Sequence, residues 1–185
     1  VAEALYNDTY WFDQMACSSP QQLILVGGEG DVRSAADDVL RELAAVASER
    51  YEMPSGQAIN KMVAVVEGVA RGSRRISWVS NASVGLDSLM ITDAVDIRPG
   101  GGFFSTQGVE TLLELVPQIT RRVQTLATFG VPELDLREFV VALNGRGVDR
   151  IVPIGAALDF SQIWDGKNLV TEMLRLVAVS ATTGS

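Results

Sequence analysis

The sequence has no histidine and a single cysteine, Cys17. Each shortage excludes chemistry. Without histidine the chain holds no Ser-His-Asp triad, no Cys-His dyad and no HExxH metal site of its own. One cysteine excludes an internal disulfide and any zinc site built on cysteine pairs. Basic residues are also scarce: 15 Lys and Arg face 23 Asp and Glu, for a net charge of -8. That balance disfavours nucleic acid and anionic membrane surfaces as partners. Arg71, Arg74 and Arg75 form one small basic cluster, read as a solvated face, with a local anion contact as the alternative. No run approaches the ~18 apolar residues of a membrane span. No signal-peptide pattern opens the chain, so the expected location is cytoplasmic. The chain starts at Val1 without Met and is expected to be processed or cut from something longer.

What is present is globular. The 185 residues are 47% hydrophobic and 21% charged, enough for one domain with a real core and no staple. Leu23–Val26 is a short apolar run ending at Gly27-Gly28, which predicts a buried strand. Asp31 or Ser34 then caps a helix to about Arg50, with Ala36, Val39, Leu40, Leu43 and Ala47 on one face. A second helix is predicted from about Gln57 to Ala70, its apolar side made by Ile59, Met62, Val63, Val66 and Val69. Ile76–Val79 and Leu89–Val95 read as strands, and Gly100-Gly101-Gly102 is a sharp break that permits close backbone approach. Thr106 is expected to cap a short helix through Val116, packed by Leu112, Leu113 and Val116. Val123–Phe129 reads as a strand, Glu133–Leu143 as a helix stopped at Asn144-Gly145, and Asp149–Ile154 as a strand that ends at Pro153 or lies at a sheet edge. Ser161 to about Val179 reads as an amphipathic helix. Strands alternating with helices predict an α/β fold of three layers, a mainly parallel sheet flanked by helices. Residues 1–22 are set apart as an aromatic and polar leading segment that suits neither an ordinary strand nor an ordinary amphipathic helix; residues 23–185 form the remainder of a single domain.

Cys17 is the leading chemical candidate. Thiolate is the reactive form, and without histidine it would depend on backbone N–H groups, a helix N-terminus or a cation. Ser18, Ser19 and Pro20 follow, a small-residue turn whose N–H groups could converge on the sulfur or on an adjacent oxyanion. The alternative is a buried cysteine acting as a small hydrophobe. Asp13, four residues earlier, is either an orienting group or a cap. The loop Gly27-Gly28-Glu29-Gly30 stands where phosphate loops stand, but it lacks a third glycine and carries Glu29 and Asp31, so a tight strand–helix turn is favoured. Asp159 and Asp165 read as helix caps, and Phe160 and Trp164 as core rather than cofactor stackers. No metal-ligand spacing is present.

The segment Phe12-Asp13-Gln14-Met15-Ala16-Cys17-Ser18-Ser19-Pro20-Gln21 resembles the cysteine motif of the LuxC-type long-chain acyl-CoA (fatty acid) reductases, within the aldehyde dehydrogenase superfamily. Gly147–Gly155 (GVDRIVPIG), Ala157–Phe160, Ile163–Gly166 (IWDG), Arg122–Leu126 and Phe129-Gly130 are similar to later stretches of that family. The resemblance implies the fold of an aldehyde dehydrogenase catalytic domain. It implies Cys17 as nucleophile toward a fatty acyl thioester, with Asp13, Gln14 and Ser18 as orienting and oxyanion candidates, and reduction of the acyl-cysteine by NADPH to a long-chain aldehyde. Fatty acyl-CoA or an acyl-transfer protein is the implied partner. So is a nicotinamide-binding domain, which in this family lies mainly upstream of the cysteine and is absent from this chain. Homo-oligomers are also common in the superfamily. Pro99–Phe104 holds no glutamate, so no cofactor contact is carried over to it. Two other readings stand beside this one: a non-catalytic interaction module of the same fold, and a nucleotide-binding α/β protein using the 27–30 loop.

Overall fold

The computed structural model describes residues 1–73, 75–87 and 98–180. It is an α/β structure with mainly parallel strand pairing. Helix α1 (Ala2–Tyr10) leads through the cysteine segment to β1 (Gln22–Val26), then α2 (Glu29–Arg50) and α3 (Ser55–Ala70). Strands β2 (Ile76–Ser80), β3 (Ser83–Asp87) and β4 (Phe103–Val109) complete a four-stranded sheet of order β1-β4-β3-β2. β4 runs parallel to both β1 and β3, and β2 is an antiparallel edge strand. A 3-10 segment (Leu112–Gln118), β5 (Thr125–Thr128), α4 (Glu133–Leu143) and β6 (Arg150–Pro153) follow, with β5 and β6 paired in parallel. The chain closes with a small hairpin, β7 (Ile163–Trp164) and β8 (Lys167–Asn168), and the short helix α5 (Leu169–Met173).

The sheet is covered on both faces because side chains alternate along its strands. Leu40 of α2 packs over Gly85, in a cluster with Leu5, Tyr10, Leu43, Ala47 and Phe104. Val84, Leu86 and Phe103 point the other way and meet Ala64 of α3. The Leu40, Leu43 and Ala47 face of α2 is buried, as its spacing predicts. Its start differs: Gly28 is the N-cap and no side chain caps the helix. The helix therefore begins well before Ser34, and the 27–30 loop is a tight strand–helix turn.

The expected apolar face of α3 is overturned. Ile59, Met62, Val63, Val66 and Val69 are exposed, whereas Lys61, Ala64 and Gly68 are buried. Close approach decides the rotation. A Cβ on Gly68 would lie 2.2 Å from Leu86 Cδ2, so the glycine there lets α3 sit on β3. Other corrections follow similar logic. Residues 2–10 form a helix despite their mixed composition, because Leu5 and Tyr10 find the α2 face. Thr106 lies inside β4 instead of capping a helix, and Thr111 with Glu114 builds the capping box of the 3-10 segment. In that segment Leu112 and Leu115 are buried and Leu113 is exposed. Phe139 and Leu143 anchor α4, while Val140 is exposed. The long helix expected over 161–179 does not form. Asp165 (φ 49°) and Gly166 (φ 74°) turn the chain between the paired Trp164 and Lys167, the left-handed pair a two-residue hairpin requires. Phe160 and Leu174–Val179 are consequently outside the core, and Asn168 rather than Asp159 or Asp165 caps a helix. The strand expected over 89–95 lies outside the described residues.

One buried charge ties the two ends of the chain. Asp8 of α1, fully buried, accepts hydrogen bonds from Gly155 N (2.7 Å) and Ala157 N (3.0 Å) in the turn after β6. Burial raises its pKa above the usual carboxylate value, and the two amides oppose that rise. Replacing Asp8 by Ala leaves two interior N–H groups without an acceptor. Urea denaturation of the Asp8→Ala variant is expected to show a loss of about 2–4 kcal/mol; an unchanged midpoint would mean that the turn is held by other contacts.

Candidate active-site cleft

The cysteine segment leaves α1 through a run of tight turns. Asp13 N donates to Tyr10 O (3.2 Å), Met15 N to Phe12 O (2.7 Å) and Ser19 N to Ala16 O (3.1 Å). The last turn carries Cys17 and Ser18 at its two central positions and leaves their amides outside its own hydrogen bond. Cys17 is exposed, which overturns the alternative of a buried small hydrophobe. It opens on a shallow cleft with Ser18, Gln124 and Thr125 at the start of β5, Asp149 and Arg150 at the start of β6, and Trp164 and Asp165 of the hairpin. The Arg150 guanidinium lies 4.8 Å from the centre of the Trp164 ring, which stacks on Phe160 with ring centres 5.7 Å apart. Arg150 Nη1 donates to Asp159 O (2.7 Å) and Nη2 to Ala157 O, so the cation is held rigidly beside the thiol's cleft.

Asp13 and Gln14 do not line this cleft; they fix the segment that carries Cys17. Gln14 is 1% exposed. Its Oε1 accepts from Gly102 N (2.9 Å) and Phe103 N (3.1 Å), and its Nε2 donates to Pro20 O (2.6 Å) and Phe103 O (2.8 Å). All the hydrogen-bonding atoms of the side-chain amide are engaged, spanning both sides of Cys17. Asp13 O accepts from Gly101 N (3.0 Å), and Asp13 Oδ1 accepts from Tyr51 Oη (2.6 Å). Asp13 (φ 53°) and Gln14 (φ 63°) both hold left-handed backbone, a costly state for such side chains that the surrounding bonds must maintain. The Ser19 hydroxyl, two residues after Cys17, is buried without a partner among the described residues.

Behind this segment lies a basic group that composition alone does not single out. Lys61 of α3 is fully buried, and its ammonium donates to Asn81 O and Gly101 O. Burial pulls its pKa down to about 8. Tyr10, whose hydroxyl donates to Ala82 O, and Tyr51 are both pushed up, chiefly by burial and for Tyr51 also by Asp13.

A family model described as acyl-CoA reductase (LuxC) matches residues 1–176. The chain belongs to the LuxC acyl-CoA reductase family. A crystal structure described as a methylmalonate-semialdehyde dehydrogenase from Sinorhizobium meliloti 1021, complexed with NAD, is similar in fold: TM-score 0.55 at 15% identity over 83% of this chain. The chain spans 36% of the length of that protein. No curated protein matches. The LuxC chain thus has the aldehyde dehydrogenase-like fold that its motifs imply. Arg150 and Trp164 were not among the site residues expected from sequence, yet both lie inside the GVDRIVPIG and IWDG stretches that carried the resemblance. Their place in those stretches was the available signal. Among the described residues no cluster of three or more His, Cys, Asp or Glu could hold a metal, and no helix is long and apolar enough to cross a membrane.

Iodoacetamide is expected to alkylate the folded chain once, at Cys17, without denaturant, as read by intact mass and peptide mapping. A thiol that reacts only after unfolding would place Cys17 in the interior. The buried lysine makes a second expectation. Its folded pKa of about 8 lies below the 10.5 of an unperturbed lysine, so between these values the unfolded chain binds the extra proton. Stability relative to Lys61→Met should therefore rise as pH increases through that window. Parallel urea titrations check it, and a flat difference would show that Lys61 keeps its proton in the fold.

Proposed function

We propose that this chain is the catalytic portion of a long-chain acyl-CoA reductase and that Cys17 is its acyl acceptor. The observation that carries the reading is the position of the chain's one cysteine: exposed, at the centre of a tight turn, on a cleft containing a rigid cation, in a chain of the LuxC family. The Cys17 thiolate attacks the thioester carbonyl, a new C–S bond forms to Sγ, and the bond to the leaving thiol breaks. The proton lost by Cys17 ends on that leaving thiolate. Exchange between thioesters is near balance, so the step makes no demand for a histidine base. The Cys17 and Ser18 amides are candidates for the developing oxyanion, and Asp13 and Gln14 orient the segment. Residues 1–22 bring the nucleophile and 23–185 supply the rest of the catalytic domain.

Hydride delivery is the chemistry a nicotinamide cofactor supplies, NADPH by the family resemblance. The Gly27–Gly30 turn puts Glu29 and Asp31 at the N-terminus of α2, where they oppose a pyrophosphate. The resemblance would place the cofactor's binding residues in a separate nicotinamide-binding domain, with Cys17 of this chain holding the acyl group that accepts the hydride. The proposed acyl donor is fatty acyl-CoA or an acyl-transfer protein, in a cytoplasmic enzyme that forms homo-oligomers.

Incubation with palmitoyl-CoA should add one palmitoyl group by intact mass, removable with hydroxylamine at neutral pH. The Cys17→Ala variant should stay unmodified. An equal adduct on that variant, or none on folded wild type, would remove Cys17 as acyl acceptor.

A further inference from the structure

We propose that Lys61 is a positioning residue for Cys17, acting through the Gly100–Gly102 loop; the inference rests on the reading of Cys17 as the acyl acceptor. The argument starts from an improbable burial. A lysine is almost never fully enclosed unless its charge is paired. Lys61 is fully enclosed, and the partners of its ammonium are two backbone carbonyls, Asn81 O and Gly101 O. It therefore ties the β2–β3 turn to the triple-glycine loop.

That loop has no side chain with which to hold itself. Gly100, Gly101 and Gly102 all take left-handed backbone, with φ of 75°, 56° and 82°. Side chains are excluded there: a Cβ on Gly100 would lie 2.6 Å from Asp13 O, and one on Gly102 would lie 2.0 Å from Ala82 O. The loop is thus pressed against the cysteine segment on one side and the β2–β3 turn on the other. Its amides face Asp13 and Gln14: Gly101 N donates to Asp13 O (3.0 Å) and Gly102 N to Gln14 Oε1 (2.9 Å). Gly101 consequently accepts from Lys61 with its carbonyl and donates to Asp13 with its amide. A peptide whose oxygen is bound by a cation becomes a stiffer anchor, and the strained Asp13-Gln14 pair, four and three residues before Cys17, needs one. Lys61 touches no reacting atom; it sets where the thiol stands. Small misplacements of a nucleophile are costly in rate.

The test compares wild type with Lys61→Met, which keeps the volume and removes the donors. Acylation by palmitoyl-CoA is followed against its concentration, and hydrogen exchange is read over residues 98–106 and 11–21. Expected is a maximal acylation rate lowered about 10-fold or more with little change in the half-saturating concentration, together with faster exchange in both segments. An unchanged maximal rate, or faster exchange confined to 98–106, overturns the proposal. Should Lys61→Met lose native near-ultraviolet circular dichroism, Lys61→Gln, which removes the charge on a shorter side chain, takes its place under the same outcomes. If wild type itself is not acylated, the acyl-acceptor reading fails. Exchange over 11–21 and the iodoacetamide rate at Cys17 then still report whether Lys61 holds the segment; no change in either overturns the positioning role.

Discussion

The amide of Gln14 is the interaction on which the rest of the site depends. It is almost completely buried, and it spends both of its polar atoms on backbone groups of Pro20, Gly102 and Phe103. A buried amide with every bond made fixes local geometry far more strongly than apolar contacts, because any displacement strands several polar groups at once. Cys17 lies between Gln14 and Pro20, both held by this one side chain. The thiol can be exposed and still be fixed, since its rigidity comes from its neighbours and not from its own contacts.

The same economy recurs across the fold. Asp8 secures the turn after β6 by two backbone amides, and Arg150 secures the following loop by two carbonyls. Lys61 joins the β2–β3 turn to the triple-glycine loop. Each of these polar groups satisfies backbone atoms in irregular segments that have no ladder of their own. Together they fix the loop after β6, the β2–β3 turn and the triple-glycine loop. A cation stacked on Trp164 then shares a shallow cleft with an exposed thiol.

Periodicity was informative wherever a face was large. The α2 stripe of Leu40, Leu43 and Ala47, the strand ending at Val26, α4, and the β5 and β6 strands are all legible from spacing and punctuation. It failed where shape outranked polarity. In α3 the apolar residues Ile59, Met62 and Val66 are outermost because Gly68 is what allows β3 to come close. In the last third, the left-handed Asp165-Gly166 pair breaks an apparently amphipathic stretch into a hairpin. Thr106 resembles a cap in sequence, but parallel neighbours on both sides make it strand.

By itself the sequence determined the chemistry available: one thiol, no imidazole, an acidic chain and the motifs of a LuxC reductase. Those follow from residue identities, which no folding can change. Only the tertiary structure decided that Cys17 is exposed, that Arg150 and Trp164 share its cleft, and that Lys61 stands behind it. Those relations join positions 44 to 147 residues away from Cys17 in the chain, and contacts between such distant residues leave no periodic trace in sequence.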